Sequence, residues 1–306
     1  HWLQDRDYVR RYLEVNELFA VYSGDNFDLT LGKKMFTTGI STLFSPSDRF
    51  RPSDLHDPMD AKQFGLWQIK TDYFSDDYQF EFAIIPVYIF KKVPASSSRW
   101  WGERDGTTIS IGDNEAEEDT PNVAWEYIDY FAKVKTTRSG WDFFMSMNSG
   151  PNPYAVIKEE ENAQVRRFIR VYTLAGGFST TKGNFEFHGE SLYNYSDESK
   201  DDDYLNSVIG FTYTLDENAK YLFLEKIIFT FEYAADYILD KQSAHQYTKS
   251  SRDARAGTND FFTRIQFKYD EDLKLGYQFH YEISDNSWMN RGEISYRIRE
   301  GLTFSC

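Results

Sequence analysis

The residues with the most distinctive chemistry are basic and recur at alternate positions near the end of the chain. Arg264, Lys268, Lys274, His280, Arg291, Arg297 and Arg299 share one face of three consecutive strand-like segments, where Asp270, Glu282 and Glu293 are outnumbered. A column of such groups inside a low-dielectric wall attracts anions and repels cations. The competing reading is structural: Glu186, Glu190 and Glu232 also face inward, so the charges could form a ladder of salt bridges. The five histidines (His1, His56, His188, His245, His280) are scattered. His188 and His280 lie on polar strand faces and read as lining residues, not metal ligands.

No catalytic constellation stands out. The sequence contains no G-x-S-x-G elbow, P-loop, HExxH or paired-cysteine motif. A Ser–His pair around His280 is the one arrangement weighed and set aside. The expectation is a protein that is not an enzyme, with no catalytic residue, no metal and no cofactor.

Positioning such a column takes long strands with two different faces. Residues 273–284 show the pattern: Leu273, Leu275, Tyr277, Phe279, Tyr281 and Ile283 alternate with Lys274, Gly276, Gln278, His280, Glu282 and Ser284. The same period recurs in 78–85, 141–148, 185–195, 223–237, 261–269 and 288–299; charge falls on both faces in 123–136 and 164–178. Thirteen strand-like segments result, at 12–20, 27–35, 64–73, 78–90, 123–136, 141–148, 164–178, 185–195, 204–215, 221–238, 261–269, 273–284 and 288–299, and a fourteenth begins at Leu302. Most reach the roughly 9–11 residues that cross a bilayer at a barrel tilt. Their apolar faces are crowded with Phe, Tyr and Trp, as at the aromatic girdles of lipid-facing barrels.

The connections alternate in length. Short turns at 23–26, 75–77, 137–140, 181–184, 216–219, 270–272 and 300–301 separate longer loops at 36–63, 91–122, 149–163, 196–203 and 239–260; Asp285-Asn286-Ser287 alone breaks the rhythm. Short periplasmic turns and longer extracellular loops produce this pattern. An even strand number then calls for a strand before His1 and a return strand after Cys306, about sixteen in all. Pro86, which cannot donate to a ladder, belongs at a bulge.

Composition agrees. The 306 residues carry a formal net charge of -15, which disfavours a nucleic-acid partner, and 18% are aromatic. The sequence holds no apolar run long enough for a transmembrane helix and a single cysteine, Cys306, so no internal disulfide forms. Segments 113–119, 159–161 and 197–203 hold thirteen acidic residues and one lysine, all in the longer loops. They read as solvated loop surface or as sites for divalent cations bridging to anionic lipopolysaccharide. Loop 36–63, with Pro46, Pro52 and Pro58, reads as a fixed, turn-rich path. It either folds inward as a constriction or lies outside as a lid.

From Phe27 to Trp101 the chain resembles outer-membrane channels of the alginate-export and related porin type. The matching residues are Leu31-Gly32-Lys33-Lys34, then Ser45-Pro46-Ser47-Asp48 and His56-Asp57-Pro58-Met59-Asp60, then Ile85-Pro86-Val87-Tyr88. Met35-Phe36 stands where such channels carry a tryptophan. The resemblance implies an outer-membrane pore for saccharides, organic anions or lipophilic solutes.

The expectation is therefore a single domain over 1–306: an all-β, antiparallel transmembrane β-barrel of about 14–16 strands in the bacterial outer membrane. Its expected function is passage of a polar or anionic solute or polysaccharide. The expected partners are outer-membrane lipid and lipopolysaccharide, the solute or saccharide, and a periplasmic or lumen-filling protein. A non-conducting barrel serving as shell or scaffold in an envelope complex is the second reading, and a soluble carbohydrate-binding β-protein the third.

Overall fold

The computed structural model describes residues 15–48, 53–54, 62–87, 127–160, 163–244, 247–299 and 302–305. Loop 91–122 with its acidic run, His1, His56 and His245 lie outside the described residues. Fourteen strands form one sheet: β1 (Leu18–Ser23), β2 (Phe27–Lys34), β3 (Leu66–Phe74), β4 (Tyr78–Val87), β5 (Asp129–Arg138), β6 (Trp141–Pro151), β7 (Arg170–Lys182), β8 (Phe185–Ser196), β9 (Asp203–Leu215), β10 (Lys226–Asp240), β11 (Asn259–Lys268), β12 (Leu273–Glu282), β13 (Ser287–Arg299) and β14 (Leu302–Ser305). Each strand pairs antiparallel with its neighbour in this order, from β1 to β14.

Alternation sorts the side chains as the period predicts. On β6, Trp141, Phe143, Met145 and Met147 are exposed while Phe144, Ser146 and Asn148 are buried. On β8, Phe185, Phe187 and Tyr195 point out while His188, Glu190 and Asn194 are buried. Aromatic rings pair across strands on the outward face, among them Phe185–Tyr213 at 4.6 Å, Phe231–Phe261 at 5.7 Å and Phe211–Phe229 at 5.9 Å. Each such pair stabilises the sheet by roughly 0.2–1 kcal/mol. An apolar face turned outward and polar groups turned inward reverse the order of a water-soluble protein. This surface is built for lipid.

The sheet wraps around a piece of its own chain. Phe36 packs with Leu66, Ala83, Ile85 and Phe131 on β3–β5, and Ile40 packs against Phe144, Ala175, Leu192 and Tyr204 on β6–β9. Phe44 stacks on Phe262 of β11 at 5.4 Å. Adjacent strands lie about 4.8 Å apart, so nine strands laid flat would span about 38 Å. The nine residues Phe36–Phe44 reach at most about 32 Å fully extended, and they touch all of these strands through one face. That face is concave and encloses a lumen. The protein is an outer-membrane β-barrel: a lipid-facing apolar exterior and a polar interior around a segment of the chain are what such a barrel presents. The third sequence reading, a soluble carbohydrate-binding protein, falls with it.

Segment 164–178, expected as one strand, is two. Ala163–Arg167 pairs with Val156–Glu160, which also pairs with Tyr247–Lys249, in a small sheet beyond the barrel rim; β7 starts afresh at Arg170. This explains charge on both faces of the segment, since its first half lies outside the wall. Strand β10 starts at Lys226 and not at residue 221, because Asn218–Leu222 forms a 3-10 turn closed by Phe223 at φ 58°. Pro86 sits at the expected bulge: Trp67 pairs with Val87 and Ile69 with Ile84, leaving Ile85 and Pro86 opposite Gln68.

Candidate functional site

The inward segment 36–48 is held by carboxylates that arrive from the barrel wall. Glu190 accepts the backbone N–H groups of Ile40 (3.0 Å) and Ser47 (2.7 Å) and the Ser45 hydroxyl (2.7 Å). Glu232 accepts three consecutive N–H groups, from Thr42 (2.8 Å), Leu43 (3.0 Å) and Phe44 (2.8 Å). Asp48 turns the segment back on itself by accepting from Gly39 N at 3.0 Å, and Lys133 donates to the Thr38 carbonyl. Hydrogen bonds to an ionised acceptor are roughly twice as strong as neutral ones. The segment is therefore tied down along its length.

Glu232 is itself fixed by His188, whose Nε2 lies 2.9 Å from Oε1, both side chains being fully buried. The two residues stand on β8 and β10, with Gly210 of β9 in register between them. A Cβ at Gly210 would lie 2.9 Å from His188 Nε2 and 2.5 Å from the Phe231 carbonyl. Glycine is what lets the pair reach across the middle strand. Gly210→Ala is expected to cost about 1–3 kcal/mol by overpacking, read as a lower midpoint in denaturant unfolding. A midpoint equal to wild type would show that the pair does not depend on this gap.

The seven basic residues separate into two groups. Arg264, His280 and Arg291 line a cleft of about 250 Å³ between the wall and residues Thr42 and Leu43, with Phe262, Gln278 and Met289 beside them. Arg264, Gln278 and Arg291 are in direct register on β11, β12 and β13. Among the described residues neither guanidinium has a carboxylate within ion-pair distance, and the shielded Nε of Arg264 has no hydrogen-bond partner. His280 stacks on Phe262 at 4.4 Å and bonds Asp260 at 2.5 Å.

The remaining four do not join them. Lys268 pairs with Glu225 at 2.8 Å, and Arg297 with Asp272 at 2.7 Å and Glu271 at 3.2 Å, all at the short-turn end. Lys274 is exposed near the same end, in register with Lys268. Arg299 is placed in β13, with its side chain outside the described residues. The salt-bridge ladder exists on the opposite wall, where Lys70 reaches Glu81 (3.0 Å) and Asp72 (3.1 Å) and Lys135 also meets Glu81. Sequence reasoning placed Glu190 and Glu232 on the inner face but missed their partners. Backbone amides of a distant loop leave no mark on the residues that accept from them.

The acidic loop 197–203 binds its own surroundings. Among the described residues no group of acidic or histidine side chains is arranged to hold a metal. Asp201 accepts from Asn152 Nδ2 and Ser251 N, and Asp202 from Gln242 N, so these carboxylates tie loops together at the rim. Burial pushes the Asp201 carboxyl above its ordinary range, against the opposing hydrogen bonds from Ser251. Close by, Arg255 bonds Asp236 at 2.6 Å and lies 3.7 Å from the Tyr204 ring centre.

No family model and no curated protein matches the chain. Among solved structures it is similar to OmpT (in-vitro folded), an outer membrane protein of Vibrio cholerae, at 10% identity and TM-score 0.44 over 91% of this chain and 79% of that one. It is similar also to a loop L8 deletion mutant of OmpT, at 10% identity and TM-score 0.48 over 90% and 76%. Outer-membrane expressed OmpT matches at 11% identity and TM-score 0.45 over 92% and 72%. No residue role is carried across at this distance, and none of these matches singles out the alginate-export type.

The expectation that the chain is not an enzyme is corrected. The matched structures are OmpT outer membrane proteins, and a barrel of this kind hosts enzymes as well as pores, so the fold gives no ground for excluding catalysis.

Proposed function

We propose that the chain is an outer-membrane channel for small polar or anionic solutes, narrowed by residues 36–48. The carrying observation is the cleft between that segment and the wall, where Arg264 and Arg291 stand without carboxylate partners among the described residues. A guanidinium lining a passage draws anions and presents a planar fork to carboxylate or phosphate. The likeness of residues 27–101 to alginate-export and porin-type channels adds acidic saccharides to the same solute class.

The clamp on the inward segment favours a second reading, a barrel whose lumen is closed by its own chain. Planar-bilayer recording separates the two. Discrete conductance steps with a reversal potential displaced toward the anion potential are expected. Cation preference would overturn the anionic solute, and stable insertion without steps would turn the proposal toward the closed barrel.

A further inference from the structure

The cleft beside Thr42 and Leu43 carries a charge pattern more specific than a general attraction for anions. Taking the cleft as part of the solute's path, we infer that it binds a short dicarboxylate, with one carboxylate on Arg264 and the other on Arg291. The two arginines belong to one row of the inner face. Thr212 of β9, Thr230 of β10, Arg264 of β11, Gln278 of β12 and Arg291 of β13 pair in direct register from strand to strand. Each of these five side chains can donate a hydrogen bond, and none is a carboxylate. Thr212 and Thr230 bond each other through their hydroxyls at 3.2 Å. Glu186 continues the row in register with Thr212, three strand spacings or about 14 Å from Arg264.

Spacing decides between one charge and two. Neighbouring strands lie about 4.8 Å apart, so the α-carbons of Arg264 and Arg291 stand about 9.6 Å apart with Gln278 between them. The cleft thus offers a cation, a neutral amide and a second cation in order, with Leu43, Phe262 and Met289 as apolar contacts beside them. A molecule with a carboxylate at each end of a few methylene groups repeats that order. A single phosphate gathers its charge at one point and leaves one guanidinium unanswered. Among the described residues neither guanidinium is held by an ion pair or a hydrogen bond, and the Nε of Arg264 is shielded from solvent. The nearby carboxylates are otherwise placed. Asp260 is taken up by His280, and Glu232 by residues 42–44 and His188. Glu293 lies one row nearer the short turns, with Oε2 3.7 Å from the position a Cβ would take at Gly276. Its charge repels an anion at that level and favours the arginine row. The volume of about 250 Å³ falls below the roughly 300–1,000 Å³ of drug-sized sites, which suits one small dianion.

The test is isothermal titration calorimetry of the full chain in detergent with butanedioate and hexanedioate, each set against its own monoamide, which has the same length and one charge fewer. Wild type is expected to bind the better-fitting dicarboxylate about tenfold more tightly than its monoamide. Arg264→Gln and Arg291→Gln, each alone, are expected to bring that dicarboxylate down to the monoamide's affinity. Arg297→Gln, which removes a charge already held by Asp272 and Glu271, is expected to keep the tenfold preference. Heat-modifiable migration on a gel confirms that each variant is folded. Equal affinity for dicarboxylate and monoamide at both lengths overturns the inference, and so does tighter binding of inorganic phosphate than of either dicarboxylate. Planar-bilayer recording keeps the two proposals apart. Anion-selective steps with equal affinities would leave the channel and remove the two-point site, whereas a tenfold preference in a barrel that inserts without steps would keep the site and remove the channel.

Discussion

Glu232→Ala is expected to free residues 42–44 from the wall and raise single-channel conductance. The carboxylate accepts three backbone N–H groups and the His188 ring at once, from a fully buried position. Its removal leaves those donors facing a cavity and His188 without its partner. Deleting one member of such a buried pair costs about 3–5 kcal/mol, enough to populate a state in which this part of the segment has left the wall. Glu190 still holds Ile40 and Ser47, so release is confined to the Thr42–Phe44 stretch. Two measurements check it: conductance steps in planar bilayers, and proteolysis within 42–44 of folded barrel. Steps of wild-type size with no new cleavage would show that the wall does not need Glu232 to hold the segment. Glu232→Gln keeps the volume and one acceptor oxygen, so its effect should be intermediate.

Arg264→Ala with Arg291→Ala is expected to move ion preference toward cations. Each guanidinium lines the same cleft and neither is paired with a carboxylate among the described residues. A unit charge about 8 Å from a passing ion in water-like surroundings contributes about 0.5 kcal/mol. Two charges removed should therefore lower anion permeability about fivefold and raise cation permeability by a similar factor, so that their ratio falls about thirtyfold, with a larger effect at low salt. Lys268→Ala with Arg297→Ala is the contrast, because those charges are already answered by Glu225, Glu271 and Asp272. Reversal potentials in asymmetric salt read both pairs. Equal shifts in the two double variants would mean that net lumen charge matters and the cleft does not.

Much of the wall was legible in the chain. The strands at 185–195, 204–215, 273–284 and 288–299 appear within one or two residues of their observed bounds at most ends, because a period of two survives wherever one face meets lipid and the other meets polar groups. The same alternation assigned all seven basic residues to the inner parity. Segment 164–178 misled because its first half pairs beyond the rim with Tyr247–Lys249 and Val156–Glu160. A charged strand in a loop and one in a barrel wall look alike until their partners are known.

Alternation therefore determined, from the sequence by itself, a long-stranded antiparallel wall with an apolar outside, a polar inside, and short and long connections at its two ends. Those are local properties, set by the direction each side chain takes from the backbone. Only the tertiary structure decided that Ser-, Pro- and Asp-bearing loop 36–48 lies inside and not over the top. Its bonds run to Glu190 and Glu232, more than 140 positions away, and depend on Gly210 leaving space for His188. It also decided that Arg264 has no carboxylate partner among the described residues while Arg297 has two. Arg264 and Arg297 are alike in sequence as inward basic residues, and what separates them is that acidic turns at the barrel's end reach one and not the other.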